Sequence, residues 1–386
     1  MRIAYISSAF LADCDLPLIK EITSEGHEVV YILQMSDHTR QATVVNVERM
    51  KPKGGVYPAS EYKGLEFMAD YLPLENVYVQ NMPSCHEWHL QSLLSVWKLF
   101  CFLRKGKFDV VHLTWPPRYS TFPLYAFRRK MVLTMHDPLP HSSDRNRLNE
   151  FHRTMAFRLI SHFIVLSKML REEFVATYHL EQKHVHLSRL GCYEIMKTSK
   201  GIDMPLPKRY ILFAGSIHPH KGIRYLCEAM KTISKEQSDL SLVISGRGQF
   251  DFDIDAYCQE LPIQVFNRFV LHDELYTLIK NAELVVCPYL DATQSGVLMS
   301  AFALDKPVVC TNVGALPEMV QDGRHGLLVP PRDSAAIARA VLQLLDGGRL
   351  TEIADNIHAD YTSGQRSWKA IAQETIDVYR QVAQRH

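Results

Sequence analysis

Residues 209–222 read Arg-Tyr-Ile-Leu-Phe-Ala-Gly-Ser-Ile-His-Pro-His-Lys-Gly, an apolar strand running into a glycine turn and then a helix expected to begin near Lys221. Glycine lets an anion approach the backbone, the open amides of a helix start favour negative charge, and lysine adds a full positive one. The stretch therefore suits a diphosphate, with Gly215, Ser216 and Lys221 as its candidate contacts. An ordinary strand-to-helix loop with a solvated lysine is the competing reading of so short a motif.

Outward from this stretch, short β-branched runs alternate with helical segments. After it come apolar runs at 240–245, 263–266, 283–287 and 307–310; before it lie runs at 2–7, 28–33, 109–113, 130–135, 162–166 and 184–188. Continuous apolar strands separated by helices predict parallel sheets covered on both faces, here two successive Rossmann-like doubly wound α/β domains. In such sheets ligands sit beyond the carboxyl ends of the strands, so two of them facing each other would form a cleft. The period lapses between Cys192 and Lys208, where polar residues, a glycine and two prolines stand. The expected organisation is a first domain at 1–191, a linker at 192–207, a second domain at 208–365, and a helix at 366–386 that packs back across the linker to the first domain.

Composition bounds the answer in the same direction. The 386 residues are 47% hydrophobic and 22% charged, enough apolar mass for two cores. Lys plus Arg number 43 against 42 Asp plus Glu, so the overall charge gives no reason to expect a nucleic-acid partner. The eight cysteines are scattered with no CxxC pair, which reads as reduced core thiols and a cytoplasmic protein. The first residues, Met-Arg-Ile-Ala-Tyr-Ile-Ser, form a strand pattern rather than a signal peptide, and no apolar run has the length of a membrane span.

A second loop strengthens the anion reading. Asp291-Ala-Thr-Gln-Ser-Gly-Val-Leu-Met-Ser300 follows a predicted strand and enters a helix through small polar residues. Its amides and the Thr293 and Ser295 hydroxyls would make a second anion cradle, or simply a capped helix start, or both. Residues 304–333 then give a strand, a turn with Pro317-Glu318, and what reads as a glycine-rich hairpin.

With these pieces in order, residues 209–345 resemble the donor-binding domain of the family-4 retaining glycosyltransferases, which have the two-domain GT-B fold. The matching motifs are Gly-Ser-Ile-His-Pro-His-Lys-Gly222, Ser245-Gly-Arg-Gly248, Lys306-Pro-Val-Val309, Asn312-Val-Gly-Ala-Leu-Pro-Glu318 and Asp322-Gly-Arg-His-Gly-Leu-Leu-Val-Pro-Pro-Arg-Asp333. The first domain is similar through 109–115, 133–137 and 163–174. The resemblance implies that Lys221 binds the diphosphate of a nucleotide-sugar donor, UDP- or GDP-linked, with no separate cofactor and no metal. Where the family usually has arginine after the first glycine, this chain has Ser216, so Arg247 or His218 would compensate. The family's paired glutamates fall on Ala292 and Ser300. The chain is similar instead to a divergent branch with a TQSGV-type loop, in which Thr293, Gln294, Ser295, Gly296 and Val297, with Ser300 behind them, handle sugar and phosphate.

The same resemblance places His136, after a strand of the first domain, near the donor sugar and the reaction centre, with a histidine bonding a strand-end backbone group as the plain alternative. Asp13, His112, Trp115 and His141 are the acceptor-side candidates, although strand-end packing explains His112 and Trp115 equally well. Transfer with retention is implied, the leaving phosphate charge being met by Lys221 and helix starts. No DxD pair is read at a strand end to hold a cation, and no carboxylate pair for double displacement is evident. Residues 89–107 are apolar around much of their circumference and end in basic residues. They read as a buried helix or as a peripheral contact at the inner membrane face, in which case a lipid-linked saccharide becomes a candidate acceptor. A non-catalytic sugar-nucleotide-binding or scaffolding subunit, and a GT-B epimerase or phosphorylase, are the competing functions.

Overall fold

The structure is a computed structural model, and it describes residues 1–42, 44–84, 89–116, 119–136 and 147–384. The chain divides into two compact units, one of Met1–Arg189 with Trp368–His386 and one of Leu190–Ser367. Each contains its own open sheet, as the alternation of short apolar runs and helices predicts.

Unit 1 has eight strands: β1 Arg2–Ser8, β2 Glu28–Ser36, β3 Gly55–Pro58, β4 Val77–Met82, β5 Val110–Leu113, β6 Met131–Met135, β7 His162–Val165 and β8 Val185–Leu187. Their order is β3-β4-β2-β1-β5-β6-β7-β8, parallel throughout except where β3 runs antiparallel to β4 at the edge. Its helices are α1 Ala12–Ser24, α2 Leu90–Gly106, α3 Arg147–Leu159, α4 Lys168–Tyr178 and, from the far end of the chain, α12 Trp368–Ala383. The central strands are buried on both faces, which is why they read as unbroken apolar runs rather than alternating ones. Along α12, Trp368, Ile371, Ala372, Thr375, Ile376, Tyr379 and Val382 recur at helical spacing and are buried, and the helix packs on α1.

Unit 2 has six strands, all parallel: β9 Tyr210–Ala214, β10 Ser241–Gly246, β11 Ile263–Asn267, β12 Val285–Cys287, β13 Val308–Thr311 and β14 Gly326–Val329, in the order β11-β10-β9-β12-β13-β14. Between and after them lie α5 Ile223–Glu236, α6 Ile254–Glu260, α7 His272–Asn281, α8 Gly296–Ala303, α9 Leu316–Met319, α10 Ser334–Leu345 and α11 Arg349–Thr362. The segment read as a linker belongs to this unit and carries a short 3-10 turn, Glu194–Thr198, with Ile195 and Met196 buried.

The glycine-rich hairpin expected after Pro317 is instead a parallel edge strand: Val308 to Thr311 pair in register with Gly326 to Val329. A tight turn at Gln321–Gly326 reverses the chain, and Arg324 and His325 fasten it to α11. Arg324 makes a bidentate pair with Asp360 at 2.7 and 2.6 Å, and His325, fully buried, reaches the same carboxylate at 2.7 Å. Asp360 is held well below its usual range, at about 2, first by the Arg324 hydrogen bonds.

Candidate donor site

Strand order reverses once in each unit, between β9 and β12 in unit 2 and between β1 and β5 in unit 1. Connections leave a doubly wound sheet in opposite directions at such a point and open a crevice past the carboxyl ends, where ligands bind. In unit 2 the two segments leaving the reversal are the Gly215–Gly222 turn after β9 and the Pro288–Ser295 loop after β12. They are the two stretches that sequence singles out.

The structure laces them together. Leu290 N donates to the His220 carbonyl at 2.7 Å. Gly222 has φ +64°, and a Cβ there would stand 2.0 Å from the Pro288 carbonyl oxygen, so only glycine fits. A Cβ on Gly215 would stand 3.6 Å from Val297 Cγ2 and 4.0 Å from Tyr289 Oη, which places the first glycine beside the second loop. Gly246 of β10 comes closer still: its Cβ would fall 1.8 Å from the Gly215 carbonyl oxygen, at φ +153°. Ile217 N donates to the Arg247 carbonyl at 3.0 Å, which brings the Ser-Gly-Arg-Gly turn alongside the first loop. Ala315 N donates to the Ala292 carbonyl at 3.3 Å and ties in the turn after β13.

Lys221 is the cation of this assembly. It ends a short 3-10 turn, Pro219–Lys221, rather than opening the long helix, which begins at Ile223 with Gly222 as its N-cap. Its ammonium sits 3.7 Å from the centroid of the Tyr289 ring, and among the described residues no carboxylate pairs with it. Partial burial lowers the lysine pKa, because the charged form loses water. Tyr289 is 1% exposed, and burial raises its phenol well above the ordinary value. Its hydroxyl lies 3.4 Å from the Ser295 hydroxyl, and its carbonyl accepts from Thr311 Oγ1 at 2.6 Å. Neighbouring Cys287 is pushed up to about 11 by burial, so it stays a thiol and serves as packing rather than as a nucleophile.

Two helices start from these two loops. Ser295 caps α8 by accepting from Leu298 N at 3.4 Å, while Gly222 offers α5 no side-chain oxygen at all. Neither helix has an acidic residue in its first turn, so the positive end of each dipole is left for an external anion. Ser216 and Arg247 are exposed at the rim, and Thr293, Gln294, Gly296 and Val297 are half-buried around the loop. Ser300 departs from the expected set. It faces the core on α8 at 3% exposure and offers a ligand almost no surface. Tyr289 is the residue that sequence reading missed; an aromatic side chain with a polar tip directly after a strand and a proline was the available signal.

The unit 1 candidates gather around the β1/β5 reversal. His112 is fully buried, with Nδ1 bonded to the Tyr379 hydroxyl of α12 and Nε2 2.7 Å from Thr134 Oγ1. Burial, and then the nearby His136, push its pKa down to about 3, so it is a neutral structural imidazole and not a groove-lining residue. Asp13 is 7% exposed and Asp15 1%, with Asp15 accepting from the Tyr5 hydroxyl at 2.8 Å and the Tyr31 hydroxyl at 3.1 Å. Burial raises both carboxyls to about 7, the Asp15 charge adding to the shift on Asp13. Asp13 is therefore part of the floor under the strand ends. His136 follows β6 and is half-buried, and Trp115 follows β5 with 42% of its surface exposed. His141 lies outside the described residues. Among the described residues no three His, Cys, Asp or Glu side chains gather in a group able to hold a metal.

Known proteins match this chain in both units. Residues 17–191 match the family model described as Glycosyltransferase Family 4, and residues 208–347 the model described as Glycosyl transferases group 1. Both matched models describe glycosyltransferases. An uncharacterized glycosyltransferase of Methanocaldococcus jannaschii is 31% identical over 232 residues, which are 56% of this chain and 59% of that one. The chain thus spans less than two thirds of the length of that relative. Sucrose-phosphate synthase from Thermosynechococcus elongatus covers 100% of both chains with a TM-score of 0.67 and 17% identity. The Anabaena protein HepE in complex with UDP-glucose covers 100% of this chain and 99% of its own, with a TM-score of 0.62 and 15% identity. At these identities the solved structures speak to the fold alone.

Proposed function

We propose that this glycosyltransferase takes a sugar from a UDP- or GDP-linked donor and passes it to a saccharide, lipid-linked or small-molecule acceptor with retention at the anomeric carbon. The observation that carries the reading is the convergence, at the strand reversal of unit 2, of an unpaired lysine on an aromatic ring with two helix starts free of acidic residues. A solved neighbour that holds UDP-glucose supports a nucleotide-sugar as the anion.

The chemistry follows from charge. As the bond from the anomeric carbon to the diphosphate breaks, negative charge grows on the phosphate oxygens. In this reading Lys221 and the first-turn amides of α5 and α8, which carry no acidic neighbour in the first turn, stabilise that charge. This gives the leaving group its stabilisation without a metal. The TQSGV loop replaces the paired-glutamate contacts: Thr293, Gln294 and the amides to Val297 take the sugar and phosphate. His136 is assigned to the reaction centre. Retention then proceeds by attack on the face the phosphate leaves, with the departing phosphate oxygen accepting the acceptor's proton. The described free thiols, from Cys14 to Cys310, fit a cytoplasmic site of action.

A thermal-shift series with UDP, GDP, ADP and their sugars tests the reading. A true ligand at about 100 times its dissociation constant stabilises the fold by roughly 2.7 kcal/mol. Stabilisation by one nucleoside diphosphate, lost in Lys221→Ala, is expected, together with release of that diphosphate from its sugar when acceptor is supplied. No shift with any nucleotide would sink the donor assignment. A shift without turnover across a broad acceptor panel would leave a sugar-nucleotide-binding subunit.

A further inference from the structure

Helix α2 buries two serines among its inward apolar residues and leaves large apolar side chains outside. It turns Ser92, Ser95, Val96, Leu99 and Leu103 inward, while Leu90 and Trp97 stand 73% and 55% exposed. The inward serines have a packing reason: a Cβ on Gly54 would fall 1.9 Å from the Gln91 carbonyl oxygen and 3.2 Å from Ser95 Cβ, so the strand edge needs small side chains there. The outward leucine and tryptophan have no such reason. At helical spacing Leu90, Leu94, Trp97 and Cys101 lie within roughly 60° of one another, and Arg104 and Lys105 continue the stripe.

A second segment extends this face. Residues Tyr119–Lys130 run beside α2, with Phe127 5.7 Å from Phe100, which in turn stacks on Trp97 at 5.4 Å; Phe122 is 64% exposed. Where the two segments meet, a cavity of about 410 Å³ is lined by Leu103, Arg104, Lys107, Phe127, Arg129 and Lys130 among others, with no carboxylate in its wall. Lys130 is fixed there by its bond to the Phe108 carbonyl at 3.0 Å. Neither α2 nor 119–130 contains an Asp or a Glu.

We propose that this face docks on an anionic phospholipid membrane, with Leu90, Trp97 and Phe122 entering the interfacial region and the basic cavity receiving a headgroup phosphate. Charge decides the occupant. A second copy presenting the same face would bring cation against cation, whereas a bilayer of acidic lipid offers apolar depth and negative charge together. Tryptophan and lysine or arginine in this order are the side chains that favour a membrane interface. No described helix is long and apolar enough to cross a membrane, so the contact is peripheral. The proposal does not depend on the donor assignment.

Vesicle flotation tests it, with phosphatidylcholine alone and phosphatidylcholine mixed with phosphatidylglycerol. Binding to the mixed vesicles only, weakened by salt, is expected. Trp97→Ser should abolish it, and Arg104→Gln with Lys107→Asn should weaken it roughly thirtyfold, at about fivefold for each charge lost near an acidic surface. All three positions are exposed, so an unchanged melting midpoint shows that the fold is intact. Equal failure to float with both vesicles would overturn the proposal. So would full binding by the variants, or a lipid-free dimer that Trp97→Ser dissolves.

Discussion

Tyr289→Leu and Tyr289→Phe together test whether the tyrosine ring is what positions Lys221. The ammonium lies 3.7 Å from the ring centroid, in a half-buried setting where a cation–π contact is worth about 1 to 2 kcal/mol. If the ring holds the lysine in place for the diphosphate, leucine frees the side chain. Binding must then order it again, and the donor dissociation constant rises about tenfold, the equivalent of 1.4 kcal/mol. Phenylalanine keeps the ring and loses only the 3.4 Å approach to Ser295, so its affinity should stay within roughly threefold of the parent. Because Tyr289 is buried, the leucine variant also loses core packing and melts several degrees lower; calorimetric titration with UDP and GDP is therefore run well below the lower midpoint. Lys221→Ala sets the scale for full loss. Two outcomes refute the argument: equal loss in both variants, which would make the hydroxyl the active part, or tighter binding in leucine, which would mean that the ring competes with the phosphate for the lysine.

The remaining predictions concern the scaffold around the site. Gly246→Ala places a methyl 1.8 Å from the Gly215 carbonyl oxygen at φ +153°, and should cost about 3 kcal/mol or more in urea unfolding; a loss below 1 kcal/mol would show that the loops separate easily. Asp13 and Asp15 have folded pKa values raised from 3.8 to about 7, so the native state holds more protons than the unfolded chain between roughly pH 4 and pH 7. Their contribution to stability is therefore present at low pH, falls as pH rises through that window, and is flat above it. Asp13→Asn should remove much of this slope in unfolding measured at several pH values, and a parent curve that rises through the window because of these groups would contradict the burial argument. Asp360→Asn breaks the bidentate pair to Arg324 and leaves His325 a weaker partner. It should destabilise by about 1 to 3 kcal/mol without changing nucleotide affinity, as checked by melting and titration side by side.

What could be read from the chain, and what could not, divides along the range of the interactions involved. The central strand β9 is apolar from end to end and β1 and β13 carry apolar runs, because helices cover both faces, and a local window suffices to see them. Edge strands carry no such mark: β3 is Gly-Val-Tyr-Pro, ending in a residue that cannot donate to a ladder, and its pairing with β4 was not legible. At β14 the glycines at 323 and 326 imitate a hairpin. Their actual reason is a turn that packs Gly326 against the Val308 carbonyl, 1.9 Å from where its Cβ would lie, a contact that no local window contains.

The site divides in the same way. Lys221, Gly215 and the 293–297 loop announce themselves by residue type and order, since an anion cradle needs a glycine, a cation and a helix start within a short stretch. Tyr289 does not, because its role exists only when chain far apart in sequence brings it under the lysine. His112 shows the converse error. A histidine at a strand end looks available, and what makes it unavailable is Tyr379 on the last helix, whose hydroxyl takes one ring nitrogen while Thr134 takes the other. A buried imidazole with both nitrogens satisfied gains nothing from a proton, so burial lowers its pKa and it can carry neither charge nor acceptor. Of the histidines expected in unit 1, His136 is the described one that combines a strand-end position with partial exposure. The weight of the catalytic assignment in unit 1 consequently rests on that residue alone.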